Sequence, residues 1–230
     1  MNPEVGQRRT AIVKLGKITL TGWSAVVALI VLLVLIVAVT IALRPSLRML
    51  LSAALWVAFI VYWSAAARNA APAKSVESRE SRRLHEILLN GAILLLFIPV
   101  PGLRGRFLPL LPLIVAAGLT LQAGAILLAV WARRHLGRNW SGAITETVGH
   151  QLVRSGPYRL VRHPIYSAML GMTVGTTLVS GELHALLALA VMAVAYARKI
   201  PLEERHLRSV FGPAYDEYRR ETWAVLPGVL

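Results

Sequence analysis

Long apolar runs separated by short charged segments constrain this chain more than any other feature. Residues 20–43 form a nearly unbroken apolar stretch, long enough to cross the hydrocarbon core of a bilayer as a helix. Hydrophobic residues make up 56% of the 230 positions and charged residues only 16%, which is too apolar for a soluble domain of this size. The sequence therefore predicts an all-α, polytopic membrane protein.

Six apolar runs can serve as transmembrane segments if their polar ends reach into the headgroups. The predicted spans are residues 20–43, 49–67, 84–100, 108–132, 166–179 and 183–197. A three-residue polar break, 180–182, separates the last two, which we expect to form a helical hairpin. Residues 202–218 predict an amphipathic C-terminal helix. We interpret the chain as one domain with a four-span N-terminal region, 1–132, and a C-terminal region, 133–230.

The distribution of basic residues predicts the orientation of the spans. With the N-terminus inside, 21 Lys and Arg residues fall in inside segments and 4 in outside turns. Cytoplasmic loops collect positive charge, so both termini and the C-terminal amphipathic helix are predicted to be cytosolic. This pattern also accounts for the net charge of +14 and argues against nucleic-acid binding, because the basic residues flank apolar spans. The absence of cysteine excludes disulfides and Cys-ligated zinc, and we predict no metal site.

The hairpin is expected to bring two charged clusters together on the cytoplasmic surface. Arg162 and His163 precede Pro164, which suits the first position of a helix. Free backbone N–H groups at a helix start attract anions, so a carboxylate or phosphate is the natural ligand. The alternative is that Arg162 only anchors the span to lipid phosphates and that His163 only caps the helix.

The acidic cluster follows the hairpin. Pro201 is expected to begin a new helix with Glu203 and Glu204 in its first turn. Two acids there either cap the helix dipole or hold a cation such as an amine or sulfonium. Lys199, four residues before Glu203, is a candidate for neutralising it.

Turn and aromatic residues complete the pattern. Gly156 and Pro157 predict a turn in which the glycine allows close approach of a ligand to the backbone. Tyr215 and Tyr218 lie three residues apart on one helical face, and we interpret them as anchors at the membrane interface, as we do Trp223.

Together these motifs resemble the isoprenylcysteine carboxyl methyltransferase family in order and spacing, and residues 136–142 are similar to a segment of its bacterial-type members. The resemblance covers residues 135–227. The matching elements are Gly156-Pro157-Tyr158, Arg162-His163-Pro164-Ile165-Tyr166, the hairpin, Glu203-Glu204, Leu207, Phe211-Gly212, Tyr215, Tyr218 and Leu226-Pro227.

The resemblance implies an integral membrane methyltransferase that uses S-adenosyl-L-methionine and releases S-adenosyl-L-homocysteine, with residues 133–230 as its catalytic region. By position, His163 would hold the cofactor carboxylate, and Glu203 or Glu204 its amino group. Arg162 would orient the substrate carboxylate, so Arg162 and Glu203 are the expected catalytic residues. The residues expected around the rest of the cofactor are Gln151, Leu152, Val153, Gly156, Tyr158, Pro164 and Tyr166.

The acceptor favoured by the sequence is the carboxylate of a prenylated cysteine, entering sideways from the bilayer. A carboxylate is already ionised near neutral pH, so its methylation needs no general base. Three alternatives stay open: a methyltransferase acting on another amphiphile such as a phospholipid amine, a membrane reductase using NADPH, and a non-enzymatic protein that grips anionic lipid. The active site is expected to face the cytoplasm.

Overall fold

The computed structural model describes most of the chain from residue 46 onward. The described residues are 13–15, 18–20, 46–67, 74–75, 77–137, 140, 145–146 and 152–228. Residues 21–43 of the first predicted span, and the site candidate Gln151, lie outside them. Strands β1 (Val13–Leu15) and β2 (Ile18–Leu20) pair antiparallel within the unit Met1–Ser46, and all the other elements belong to the unit Leu47–Leu230.

The second unit is helical apart from one short ribbon. Its helices are α1 (Leu47–Ala67), α2 (Arg79–Phe97), α3 (Pro112–Leu136), α4 (Pro164–Ser180), α5 (Leu183–Phe211) and α6 (Pro213–Glu221). Strand β3 (Lys74–Ser75) pairs antiparallel with β4 (Thr145–Glu146), and a 3₁₀ turn covers Gly156–Arg159. The prediction of an all-α architecture is therefore confirmed for these residues.

Three described helices, α1, α3 and α5, are long and apolar enough to cross a membrane. They correspond to the second, fourth and sixth predicted spans. The third and fifth predicted spans are also helical, but α4 has only 17 residues and α2 carries charged residues in its first turns. The apolar helices are those of an integral membrane protein, whereas the total of six spans stays a prediction.

Helices α3 and α4 cross in very close contact because both present glycine at the crossing point. A Cβ atom added to Gly118 would lie 2.6 Å from the carbonyl oxygen of Gly175, and the reverse substitution meets the same obstacle. Small residues permit this approach where no hydrophobic effect drives helices together. The close crossing anchors α4, the helix that begins at Pro164.

A neutral polar network ties α1 and α3 to α4 inside the bundle. The Ser52 hydroxyl donates to Gln122 Oε1 at 2.9 Å, and the Gln122 amide donates to the Ser52 carbonyl oxygen at 2.9 Å. Trp56 Nε1 donates to the Thr176 hydroxyl at 2.9 Å. Ser52, Gln122 and Thr176 have no solvent exposure, so these bonds satisfy polar groups that would otherwise be costly to bury. We call Ser52, Trp56, Gln122 and Thr176 the neutral network.

The predicted start of a new helix at Pro201 is wrong. Helix α5 is 29 residues long, and Pro201 lies inside it, so Glu203 and Glu204 are within the helix and not in a first turn. An internal proline removes one helical hydrogen bond, and here the helix is held by side-chain ion pairs on both sides of it, at Lys199 and Glu204. The amphipathic stretch 202–218 is divided between α5 and α6 at Gly212, whose φ is +54°.

Candidate active site

The start of α4 positions the basic part of the site. Pro164 occupies the first helical position and His163 precedes it. The backbone N–H of Arg162 donates to the Trp223 carbonyl at 2.8 Å, and that of His163 donates to the Ala224 carbonyl at 2.9 Å. The C-terminal segment therefore lies directly against these two residues. Pro164 is buried beneath it.

Glu204 is the centre of the charged cluster. Its Oε1 accepts a hydrogen bond from Arg162 Nε at 2.8 Å and lies 3.4 Å from His163 Nε2, and its Oε2 lies 3.3 Å from Arg219 Nε. The side chains of Arg162 and Glu204 are only 7% and 13% exposed. The structure thus brings together the two clusters that the hairpin was expected to juxtapose.

The electrostatics of the cluster keep Glu204 ionised. Glu204 lies beyond Ala197, where the apolar part of α5 ends. Burial by itself raises the pKa of this carboxyl group, but the hydrogen bonds from His163 and Arg162 outweigh burial and lower the pKa to about 2. A carboxylate that is held charged in a nearly buried position fixes the cations around it.

Glu203 has a different environment from Glu204. The Tyr166 hydroxyl donates to its Oε2 at 2.6 Å, and His163 Nδ1 lies 3.8 Å from the same oxygen. Its side chain is 31% exposed, and no donor among the described residues contacts its Oε1. The Tyr166 ring stacks on the His163 ring, with centroids 5.3 Å apart, and on the Tyr196 ring at 4.5 Å. Glu203 therefore presents a free acceptor beside an ordered aromatic stack.

Three tyrosines outside the spans surround the Glu pair. Tyr158, Tyr215 and Tyr218 are 6%, 1% and 3% exposed, so the interpretation of Tyr215 and Tyr218 as interfacial anchors is wrong. The Tyr218 hydroxyl donates to the Tyr158 carbonyl at 2.7 Å. Among the described residues, the hydroxyls of Tyr158 and Tyr215 have no hydrogen-bond partner. Burial, and then the charges of Glu203 and Glu204 respectively, raise the pKa values of Tyr158 and Tyr215, so both hydroxyls keep their protons and can donate to a ligand.

The remaining predicted residues are placed less directly. Gly156 has a φ of +60°, as its turn requires, but the atoms closest to its missing Cβ belong to the His135 ring rather than to an open pocket. Leu152 and Val153 are half-buried. No signal in the sequence had singled out His135.

Lys199 does not neutralise Glu203, contrary to expectation. It forms an ion pair with Glu77, and both side chains are almost fully buried, at 4% and 3% exposure. Glu77 also accepts a hydrogen bond from the Ser81 hydroxyl at 2.8 Å. Because Glu77 is 122 positions away from Lys199, the local pattern around Lys199 could not reveal this partner.

Most residues of the site lie in a segment that matches a known family model. Residues 113–214 match the family model of phospholipid methyltransferases. A probable protein-S-isoprenylcysteine O-methyltransferase of Oryza sativa subsp. indica is 38% identical over 79 residues, which is 34% of this chain and 41% of that protein. This part of the chain is therefore similar to phospholipid methyltransferases and to isoprenylcysteine O-methyltransferases.

The chain is also similar to a metal-resistance protein and to one solved structure. The cobalt-zinc-cadmium resistance protein CzcN of Cupriavidus metallidurans is 41% identical over 95 residues, which is 40% of this chain and 43% of CzcN. The structure of the eukaryotic intramembrane Ras methyltransferase ICMT is similar with a TM-score of 0.46 and 21% identity, over 67% of this chain and 55% of that one. The chain thus spans less than half the length of the isoprenylcysteine O-methyltransferase from Oryza and of CzcN.

Proposed function

We propose that this site transfers a methyl group from S-adenosyl-L-methionine to the carboxylate of a prenylated cysteine. The observation that supports this proposal most is the pair of adjacent acids with unequal surroundings. Glu204 pairs with Arg162 and Arg219 and contacts the His163 ring, whereas Oε1 of Glu203 has no partner among the described residues. A donor that carries both a carboxylate and an ammonium group needs cations and an anion side by side, and this site provides them.

The unpartnered polar groups fit such a cofactor. The free Oε1 of Glu203 and the buried hydroxyls of Tyr158 and Tyr215 offer one acceptor and two donors near the Glu pair. Buried polar groups in folded proteins are almost always hydrogen-bonded, so groups left without a partner indicate a missing ligand or water. We assign the cofactor ammonium to Glu203 and not to Glu204, because both oxygens of Glu204 already contact protein cations.

The chain's own residues would bind and orient the reactants. When bound, S-adenosyl-L-methionine supplies an electrophilic methyl group on a sulfonium. His163 is assigned to the cofactor carboxylate. Arg162 Nε donates to Glu204, and Nη1 donates to the carbonyl oxygens of Thr222 and Arg219. Its Nη2 has no partner among the described residues, and we assign it to the acceptor carboxylate. Such positioning in a water-poor site favours transfer between opposite charges that diminish as the methyl moves.

The acceptor and the orientation also belong to the proposal. The substrate enters sideways from the bilayer between apolar helices, and the site faces the cytoplasm with the charged C-terminal segment. The catalytic region is 133–230, preceded by four spans in 1–132. A phospholipid amine is the second candidate acceptor, since the family model is that of phospholipid methyltransferases. Methylation of an amine requires a general base. Glu203 is assigned to the cofactor ammonium and both oxygens of Glu204 contact arginines, which favours the carboxylate as the acceptor.

Calorimetric titration of the detergent-solubilised protein with S-adenosyl-L-homocysteine tests the proposal. We expect saturable binding that is lost in Glu203→Gln, which removes the charge assigned to the cofactor ammonium, and retained in Glu217→Gln, a control acid on α6 with 58% exposure. No binding at millimolar ligand, together with thermal protection by NADPH, would replace the proposal by a reductase. With binding established, methyl transfer to a prenylcysteine or to a phosphatidylethanolamine decides the acceptor.

A further inference from the structure

A cavity is lined by Arg162 of the charged cluster and by residues of the C-terminal segment. It has a volume of about 740 Å³, within the range of pockets that hold small ligands. It is formed by the end of α5, by α6 and by the first residues after α6. The residues that line it are Arg162, Arg208, Arg219, Arg220, Asp216, Glu221, Thr222 and Trp223.

The lining carries an excess of positive charge. Four arginines face two carboxylates. Arg208 pairs with Asp216 at 2.7 Å, and Arg162 and Arg219 both contact Glu204. Arg220 has no ion pair or hydrogen bond among the described residues. The cavity therefore holds more guanidinium groups than its own acids neutralise.

The chemistry of the lining selects a phosphate group. Planar guanidinium groups match the oxygens of phosphate with paired, charge-assisted hydrogen bonds. A phosphate offers several acceptor oxygens at once, so it can contact Arg220 and the outer nitrogens of Arg219 and Arg208 together. A neutral ligand would leave the excess charge uncompensated.

The surroundings of the cavity indicate where the phosphate comes from. Trp223, which lines the cavity, is 47% exposed, and Leu226 just beyond it is 51% exposed. Tryptophan prefers the headgroup level of a bilayer. The cytoplasmic leaflet also presents anionic phospholipids that attract arginines near its surface.

We propose that this arginine-lined cavity binds a phosphate group, and that Trp223 and Leu226 favour a lipid headgroup as its source. The cavity adjoins the proposed methyl-transfer site, because Arg162 lines it, but its excess charge lies on Arg220, which is assigned neither to the cofactor nor to the acceptor. A bound phosphate would also hold Thr222 and Trp223, and with them the segment that lies against Arg162 and His163.

The test measures the thermal unfolding of the delipidated protein in neutral detergent with three probes. These are phosphatidylglycerol, phosphatidylcholine and inorganic phosphate. A ligand that binds only the folded state raises Tm with its concentration, which yields an apparent Kd. The variants are Arg220→Gln, the conservative Arg220→Lys, and Arg83→Gln as a matched control. Arg83 is likewise exposed and without a partner among the described residues, but it lies on α2 outside the cavity.

We expect phosphatidylglycerol to protect the wild type more than phosphatidylcholine. Arg220→Gln should weaken this protection about tenfold in apparent Kd, the value of one strong charge-assisted contact. Arg220→Lys should recover part of it, and Arg83→Gln should match the wild type. Equal protection by inorganic phosphate would make a free phosphate the ligand and support the shared chemistry. Equal protection by phosphatidylcholine, or the same loss in Arg83→Gln as in Arg220→Gln, would overturn the proposal.

Discussion

Two polar clusters inside this protein illustrate different uses of buried polarity. The neutral network of Ser52, Trp56, Gln122 and Thr176 carries no charge, and its side chains bond to one another inside the bundle. The cluster around Glu203 and Glu204 is charged and partly open to solvent, and it has donors and an acceptor without partners among the described residues. The first arrangement stabilises a helix crossing, and the second leaves binding capacity for a ligand.

Glu204→Gln should break the charged cluster most severely. It removes the anion that neutralises Arg162, whose side chain is 7% exposed, and leaves that charge nearly buried without this counter-ion. Breaking one partner of a buried pair costs about 3 kcal/mol, so the free energy of unfolding should fall by that order. Denaturant unfolding measures this value. A loss no larger than that of Glu217→Gln would show that Glu204 does not organise the cluster.

Gln122→Leu should damage the neutral network alone. It removes the side-chain donor to the Ser52 carbonyl and one of the two acceptors of the Ser52 hydroxyl, at a cost of about 2 kcal/mol in unfolding free energy. The affinity for S-adenosyl-L-homocysteine, measured by calorimetry on the folded protein, should stay unchanged. If affinity fell together with stability, the separation between a structural and a ligand-binding cluster would be lost.

The lowered pKa of Glu204 predicts how the stability of the protein changes with pH. The pKa of Glu204 is lowered from 4.5 to about 2 in the folded protein. A lowered pKa gives stability that is complete above about pH 4.5 and is lost as pH falls toward 2. Tm measured from pH 6 to about pH 3 should therefore fall more steeply in the wild type than in Glu204→Gln. Parallel curves would contradict the assignment of this shift to Glu204.

Tyr215→Phe should have the smallest effect on stability, and it tests directly whether the Tyr215 hydroxyl contacts the cofactor. The hydroxyl has no partner among the described residues, so its removal should change the unfolding free energy by less than about 0.5 kcal/mol. If the hydroxyl donates to the cofactor, the affinity for S-adenosyl-L-homocysteine should fall about fivefold, as expected for one hydrogen bond. Unchanged affinity would remove Tyr215 from the site but leave the Glu pair intact.

The fold was predictable where the signal is local and repeated. Apolar runs predicted the helices from residue 47 onward, because a helix in lipid must satisfy its own backbone. Pro164 predicted a helix start correctly, since proline suits that position. Pro201 did not, because the same residue also occurs inside a helix when tertiary contacts compensate for the lost hydrogen bond.

The sequence by itself determined the membrane character of the chain, its helical hairpin and the identity of the charged residues on either side of it. These follow from hydrophobic length and motif spacing. Only the tertiary structure decided how the charges are shared. It pairs Lys199 with Glu77 and surrounds Glu204 with two guanidinium groups and the His163 ring. Within the described part of the chain, it leaves an oxygen of Glu203 and the Tyr215 hydroxyl without a partner. The physical reason is that a charge selects its partner by distance in space, which depends on how separate helices pack.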